Sequence, residues 1–182
     1  MDAQELGSYL RQATHSLFRL EVQSAYDVPA DGNDFQRYLA GELGPDMERK
    51  QRWLDFLREQ QVQGIYRHRV RVLRTPLSDY DRYACAWGYA YNVPAGDDTR
   101  IVDLAEHPLA NNWFEHDFWL VDGELPICMH YGSNGQFQCA EIAGPDRLNW
   151  YTSTRDALWA VGEPFERWWP HQPEFRAVRA GS

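Results

Sequence analysis

The segment GIYRHRVRVLRT, residues 64–75, restricts the fold more than any other stretch of this chain. His68, Val70 and Val72 alternate with Arg67, Arg69 and Arg71. A two-residue period belongs to a β-strand, whose successive side chains point to opposite faces. One face of this strand is therefore apolar and the other basic. The basic face, which Arg74 extends, needs anions. They can be the chain's own carboxylates in internal salt bridges, or a carboxylate, a phosphate or an acidic partner segment gripped from outside.

Elements on either side follow from periodicity and turn chemistry. Leu6, Leu10, Ala13 and Leu17 have helical spacing, so residues 3–17 are expected to form an amphipathic helix. FRLEVQSAY (18–26) alternates Phe18, Leu20 and Val22 and reads as a short strand or extended arm. Asp34 is placed to cap a helix with Phe35, Tyr38 and Leu39 on its inner side, and Asp46 to cap another carrying Met47, Trp53, Leu54 and Leu57. Residues 77–91 fall near a 3.6 period and are expected to be helical. TRIVDL (99–104), DFWLVDGELPICMHY (117–131) and GQFQCAEI (135–142) read as a strand, a hairpin turning at Asp122-Gly123, and a further strand. A last helix is expected from Asp146 to Gly162.

The resulting order, two or three helices and then β-α-β-β-β-α, describes an α/β (α+β) sandwich. At 182 residues and 43% apolar the chain has the length and the material for one domain over residues 1–162. Residues 1–63 would be its mainly helical part and 64–162 its sheet part. Residues 163–182 read as a Pro- and Trp-containing tail, extended or partly disordered, in which Trp168 and Trp169 would be exposed and mark a contact surface.

Charge and targeting signals narrow the function classes. The formal net charge is −9 and Lys50 is the only lysine, so direct nucleic-acid binding, which relies on neutralising phosphates, is not expected. No secretory signal and no apolar run of membrane-spanning length is found. With three cysteines in no framework spacing, free thiols and a cytoplasmic location are expected. There is no Gly-rich phosphate loop, no nucleophile elbow and no His-Glu-x-x-His.

Two resemblances add to this reading. FRLE (18–21), YDVP (26–29), RVRVLRTPLSDYDRY (69–83), NVPAGDD (92–98) and DFWLVDG (117–123), in this order, are similar to an actinomycete family of uncharacterised domains often found beside helix-turn-helix regulators. That resemblance implies a protein partner. From about residue 64 onward the chain also resembles one half of a phospholipase-D-like fold. GIYRHRVRVL would be its first strand, and HDFWLVD (116–122) the strand that carries a His-x-Lys-x-x-x-x-Asp motif. The resemblance implies a nucleophilic His116 and a supporting Asp122, but Phe118 stands where the motif has lysine. A ring cannot replace the ammonium that stabilises a phosphoryl transition state.

The leading expectation is therefore a non-catalytic regulatory or interaction domain. It would need no cofactor and would bind a protein partner, such as a helix-turn-helix regulator, or a second copy of itself. Arg69, Arg71, Asp79, Arg82, Asn92 and Trp119 are the candidate binding residues, with Asp79 and Arg82 also spaced to pair with each other on a helix. The alternative is an enzyme of small molecules or phosphate esters with a rebuilt site of His116, Asp122, His130 and Tyr80. Cys128, His130 and Cys139 carry soft zinc-type donors, yet a fourth ligand is not evident and buried core residues are the expectation.

Overall fold

The computed structural model describes residues 1–173. Its centre is a seven-stranded mixed sheet in the order β6-β5-β4-β1-β2-β3-β7. β1 (Ser16–Glu21), β2 (Tyr66–Leu73) and β3 (Asp97–Asp103) are parallel neighbours. β4 (Phe118–Val121) runs antiparallel to β1, and β5 (Leu125–Tyr131) and β6 (Phe137–Ile142) continue the antiparallel side. β7 (Glu163–Pro164) closes the other edge against β3. The mixed α/β class expected from the sequence is the class observed. Among the described residues no helix is long and apolar enough to cross a membrane.

Helices cover both faces. On one, Phe18, Leu20, Val70, Val72, Val102, Phe118 and Leu120 pack under α6 (Leu148–Val161), which contributes Tyr151 and Leu158. The other face is covered in patches. α1 (Ala3–Leu10) closes an apolar cluster containing Leu17, Val121, Ile127 and Met129. α3 (Met47–Val62) packs on β2, after the short α2 (Asp34–Leu39). α4 (Asp79–Tyr83) runs into a π-helical stretch, Ala84–Tyr89, and then α5 (Ala90–Asn92). These join α7 (Phe165–Trp168) in a second apolar cluster.

Several boundaries differ from those expected. The first helix stops at Leu10, because Leu17 belongs to β1, where burial on both faces outweighs helical spacing. β1 comes from the segment read as mainly helical, yet it is the central strand, so residues 1–63 and 64–162 share one sheet. Asn33 occupies the cap position of α2, while Asp34 turns inward to Arg37, Arg49 and the backbone N–H of Asp46. The reading of the tail is corrected over the described residues 163–173. Trp168 and Trp169 are 2% and 4% exposed and stack on each other in the cluster under α7, so they are not a contact surface. The rest of that tail lies outside the described residues.

One turn positions the site described below. Gly135 has φ +78°, and an added Cβ would lie 2.4 Å from the carbonyl oxygen of Ala25. Here the loop carrying Tyr26 is pressed onto the β5–β6 turn, with Asp27 donating its N–H to the Gly135 carbonyl. Gly135→Ala is expected to lower stability by about 1–3 kcal/mol, from the left-handed backbone and the displaced Ala25 together. Gly132→Ala, whose Cβ would meet only side-chain atoms within 3.5 Å, should cost less. Urea unfolding of the two variants side by side measures the difference.

Candidate functional site

The register of β1 and β2 builds a charged layer inside the protein. Arg19 stands opposite Arg69, and Glu21 opposite Arg71, all on the face that also carries Leu17 and Arg67. Asp97 and Thr99 of β3 follow on one side, opposite Arg67 and Arg69. Trp119 of β4 follows on the other, opposite Arg19. Arg19, Arg67, Arg69 and Arg71 are all buried.

Three of the four arginines have specific carboxylate counterparts. Arg19 Nη2 donates to Asp117 Oδ2 (3.0 Å) and to the Tyr131 hydroxyl (2.6 Å). Asp117 also accepts from the Tyr26 hydroxyl (2.6 Å) and the Val22 N–H (2.9 Å). Arg69 Nη1 donates to Glu21 (3.0 Å) and its Nη2 to Asp97; Arg71 Nη2 donates to Asp81 (2.8 Å). The π-helical stretch delivers Tyr89, which donates to the second Glu21 oxygen at 2.7 Å. Wide helical turns of this kind often mark functional positions. Four guanidinium groups thus face four carboxylates: Glu21, Asp81, Asp97 and Asp117.

Burial and pairing set the protonation states. Burial pushes Glu21 up, but Arg69, Arg19 and Arg71 outweigh it and hold the carboxyl down at about 2. For Asp117 burial wins over Arg19 and the Tyr26 hydroxyl, and its pKa is raised. Burial would lower Arg19 and Arg69, yet Asp117 and Asp97 respectively, aided by Glu21, leave both raised. Arg67 has no carboxylate among its hydrogen-bond partners. It donates to Gln60 (2.8 Å) and lies over the rings of Trp53 (5.3 Å), Phe56 (6.0 Å) and Trp119 (5.4 Å), and burial lowers it to about 10. Trp119 also receives the Arg19 guanidinium at 5.1 Å.

The candidate binding residues are divided by this arrangement. Arg69 and Arg71 are central, and Trp119 is placed between Arg19 and Arg67. Asp79 and Arg82 pair with each other on α4, as their spacing suggested. Asn92 is buried in α5. Of the two sources of anions left open for the basic face, Arg69 and Arg71 use the chain's own carboxylates, while Arg67 uses Gln60 and three aromatic rings.

The candidate catalytic residues go to separate partners. His116 is half-buried; its Nε2 lies 3.0 Å from the Tyr151 hydroxyl, which is 2.6 Å from Cys128 Sγ. Burial lowers the His116 pKa and raises that of Cys128. His130, the next residue but one after Cys128, pairs at the surface with Glu141 (3.3 Å). Asp122, with φ +52°, binds the backbone N–H groups of Thr14, His15 and Ser16 and fixes the start of β1. Tyr80 packs against Tyr26, Phe35 and Tyr83. Phe118, in the lysine position of the phospholipase-D-like motif, is fully buried against Tyr151 and Phe18. Arg147 is a cation on this side of the sheet, engaged with Glu115 (3.2 Å) and lying over Trp150 (5.1 Å). Among the described residues, no three His, Cys, Asp or Glu side chains form a group that could hold a metal.

Arg19, Glu21, Tyr26, Asp81, Tyr89, Asp97, Asp117 and Tyr131 were not singled out as site residues from the sequence. One signal was available. FRLE has the same alternation as RHRVRV, with Arg19 and Glu21 on the polar face. A family model described as a domain of unknown function, DUF6879, matches residues 4–170, nearly the whole described fold. The chain belongs to the DUF6879 family. No curated protein gives a match. In this DUF6879 domain the matched span runs through β7 and α7, so the residues first read as a tail, up to 170, lie inside the domain.

The Asp122 anchor can be tested by pH. Burial would raise this carboxyl, but the N–H groups of Ser16, Thr14 and His15 outweigh it and hold it down at about 2. Its stabilisation is therefore complete above the ordinary carboxylate pKa of about 4 and fades as the pH falls toward 2. Asp122→Asn should be less stable than the native chain by a constant margin at pH 5–7, and the margin should shrink below pH 4. Urea midpoints across that range measure it.

Proposed function

We propose that this DUF6879 chain is a non-catalytic interaction domain that binds a protein partner, with a helix-turn-helix regulator as the partner class and the cytoplasm as its place. The observation that carries this is the separation of the would-be catalytic groups. His116 is bound to Tyr151, Asp122 to the start of β1, His130 to Glu141 and Tyr80 to an aromatic cluster. The position that should supply an ammonium holds a core ring. From β2 onward the order is β-α-β-β-β-β-α, one strand more than expected; a helix after the first strand and a closing helix support reading this part as a phospholipase-D-like half that has lost its chemistry. In the sheet, however, β1 lies between the two strands compared with that fold.

Exposed apolar side chains near α2 support a partner-binding surface there. Val28, Leu39, Leu43 and Met47 come from one stretch around α2 and are 39%, 49%, 77% and 43% exposed. This patch takes over the role first assigned to Trp168 and Trp169. Cys128 and Cys139 as free thiols suit a reducing compartment.

A rebuilt esterase is the second reading, and it rests on the Cys128–Tyr151–His116 chain. Burial raises both the thiol and the phenol, so neither thiolate nor phenolate is favoured near pH 7, and it lowers the imidazole, which leaves neutral His116 as the nucleophile or base of the three that this reading would have to use.

Two measurements separate the readings. The tagged chain should retain a helix-turn-helix regulator when the two are co-expressed, and Leu43→Asp should weaken retention at least tenfold with little change in Tm. Equal retention by Leu43→Asp would remove the patch, and no retention of any regulator would remove the partner. Against bis(4-nitrophenyl) phosphate the chain should show only the buffer rate; turnover that disappears in His116→Ala would establish the enzyme reading instead.

A further inference from the structure

The charged layer is complete in charge but not in hydrogen bonds. Arg19, Arg69 and Arg71 are 5%, 8% and 1% exposed, yet Arg19 Nη1, Arg69 Nε and Arg71 Nε have no hydrogen-bond partner in the protein. Buried polar groups are paired in the great majority of cases, and exceptions point to an unseen water or ion. The three residues are neighbours by register, with Arg19 opposite Arg69 and Arg71 two residues further along β2. The atoms of this block left with no partner at all are donors. A water there would have to give its own two protons to carboxylates already engaged by arginines and tyrosines, whereas an oxyanion accepts from every side and needs none.

Position and access agree. The layer extends to the carboxyl ends of the parallel strands β1 and β2, where ligands of open α/β sheets commonly bind. Its outer rim is made by Tyr26, Tyr80 and Tyr131, which are half-buried while the arginines behind them are closed off. Tyr26 belongs to no helix or strand. Its ring lies under the Arg71 guanidinium (5.3 Å), and its hydroxyl is 3.4 Å from Arg71 Nη1, at the long end for a hydrogen bond. The hydroxyl is anchored on Asp117 (2.6 Å), and the long contact to Arg71 is the one that an anion would replace.

We propose that the DUF6879 layer holds a small oxyanion of the phosphate or carboxylate class, bound by the free guanidinium N–H groups of Arg19, Arg69 and Arg71 behind Tyr26. Because the guanidinium groups and carboxylates of the layer balance, the anion is held by directed N–H donors rather than by net charge. Selectivity against chloride follows, since an oxyanion can offer separate acceptor oxygens to N–H groups from three different arginines, whereas chloride has a single centre for them to share. The site does not depend on the interaction reading above and is tested without any partner.

The experiment uses the full chain in two ways. Crystals soaked in selenate are examined for an anomalous selenium peak, and thermal unfolding is followed in phosphate, acetate and chloride at equal ionic strength. The expected result is a peak within hydrogen-bond distance of at least two of the three nitrogens, with a Tm several degrees higher in phosphate or acetate than in chloride. Whichever of the two stabilises more names the class. Arg71→Lys should lose most of that increment, and Tyr26→Phe, which keeps the rim ring and removes the hydroxyl that competes for Arg71, should enlarge it. Ordered waters on all three nitrogens with no selenium peak, together with phosphate and acetate no better than chloride, would overturn the site.

Discussion

The pairing of Arg19, Arg69 and Arg71 with Glu21, Asp117, Asp97 and Asp81 is the constraint on which the rest of this DUF6879 fold depends. Removing one partner from such a buried pair leaves an uncompensated charge and typically costs about 3–5 kcal/mol. Every element around the layer is placed so that this does not happen. β4 begins at the point where Asp117 meets Arg19, α4 brings in Asp81, and the π-helical stretch brings in Tyr89. The loop after β1 returns Tyr26 to Asp117.

A layer of this kind is not the most stable filling for a sheet face, since well-packed apolar residues often do as well or better. What it supplies is register. A one-residue slip of β2 against its neighbours would turn Arg67, Arg69 and Arg71 onto the face now filled by Phe18, Val70 and Phe118. With hydrophobic residues on both faces that slip would be cheap; with three guanidinium groups it is prohibitive. Central parallel strands are usually apolar on both sides and carry little register information, so the alternation that first marked β2 as a strand also fixes how it pairs.

The same alternation explains how far the fold could be read beforehand. β2, β3, the hairpin at Asp122-Gly123, α3 and α6 follow from local periods and turn residues, and they are found close to where those signals lie. β1 was harder because Leu6, Leu10, Ala13 and Leu17 keep helical spacing up to a strand whose burial depends on partners distant in sequence. The tail was misread because Pro164 and Pro170 suggest open chain, while the burial of Trp168 and Trp169 comes from contact with residues 73–101.

The candidate site was half legible, for one physical reason. Basic residues on a strand show that anions are needed but not where the anions come from. Here they come from β1, β3, α4 and the residue before β4, all brought together by tertiary structure. Motif resemblance pointed to His116 and Asp122 because a pattern along one strand takes no account of which end or face each side chain serves. Asp122 ended as a clamp on Thr14–Ser16, and His116 as a neighbour of Tyr151 beneath α6. Asp117, between His116 and Phe118 in the same motif, points to the opposite face and meets Arg19. The strand that looked catalytic on one side thus serves the charged layer on the other.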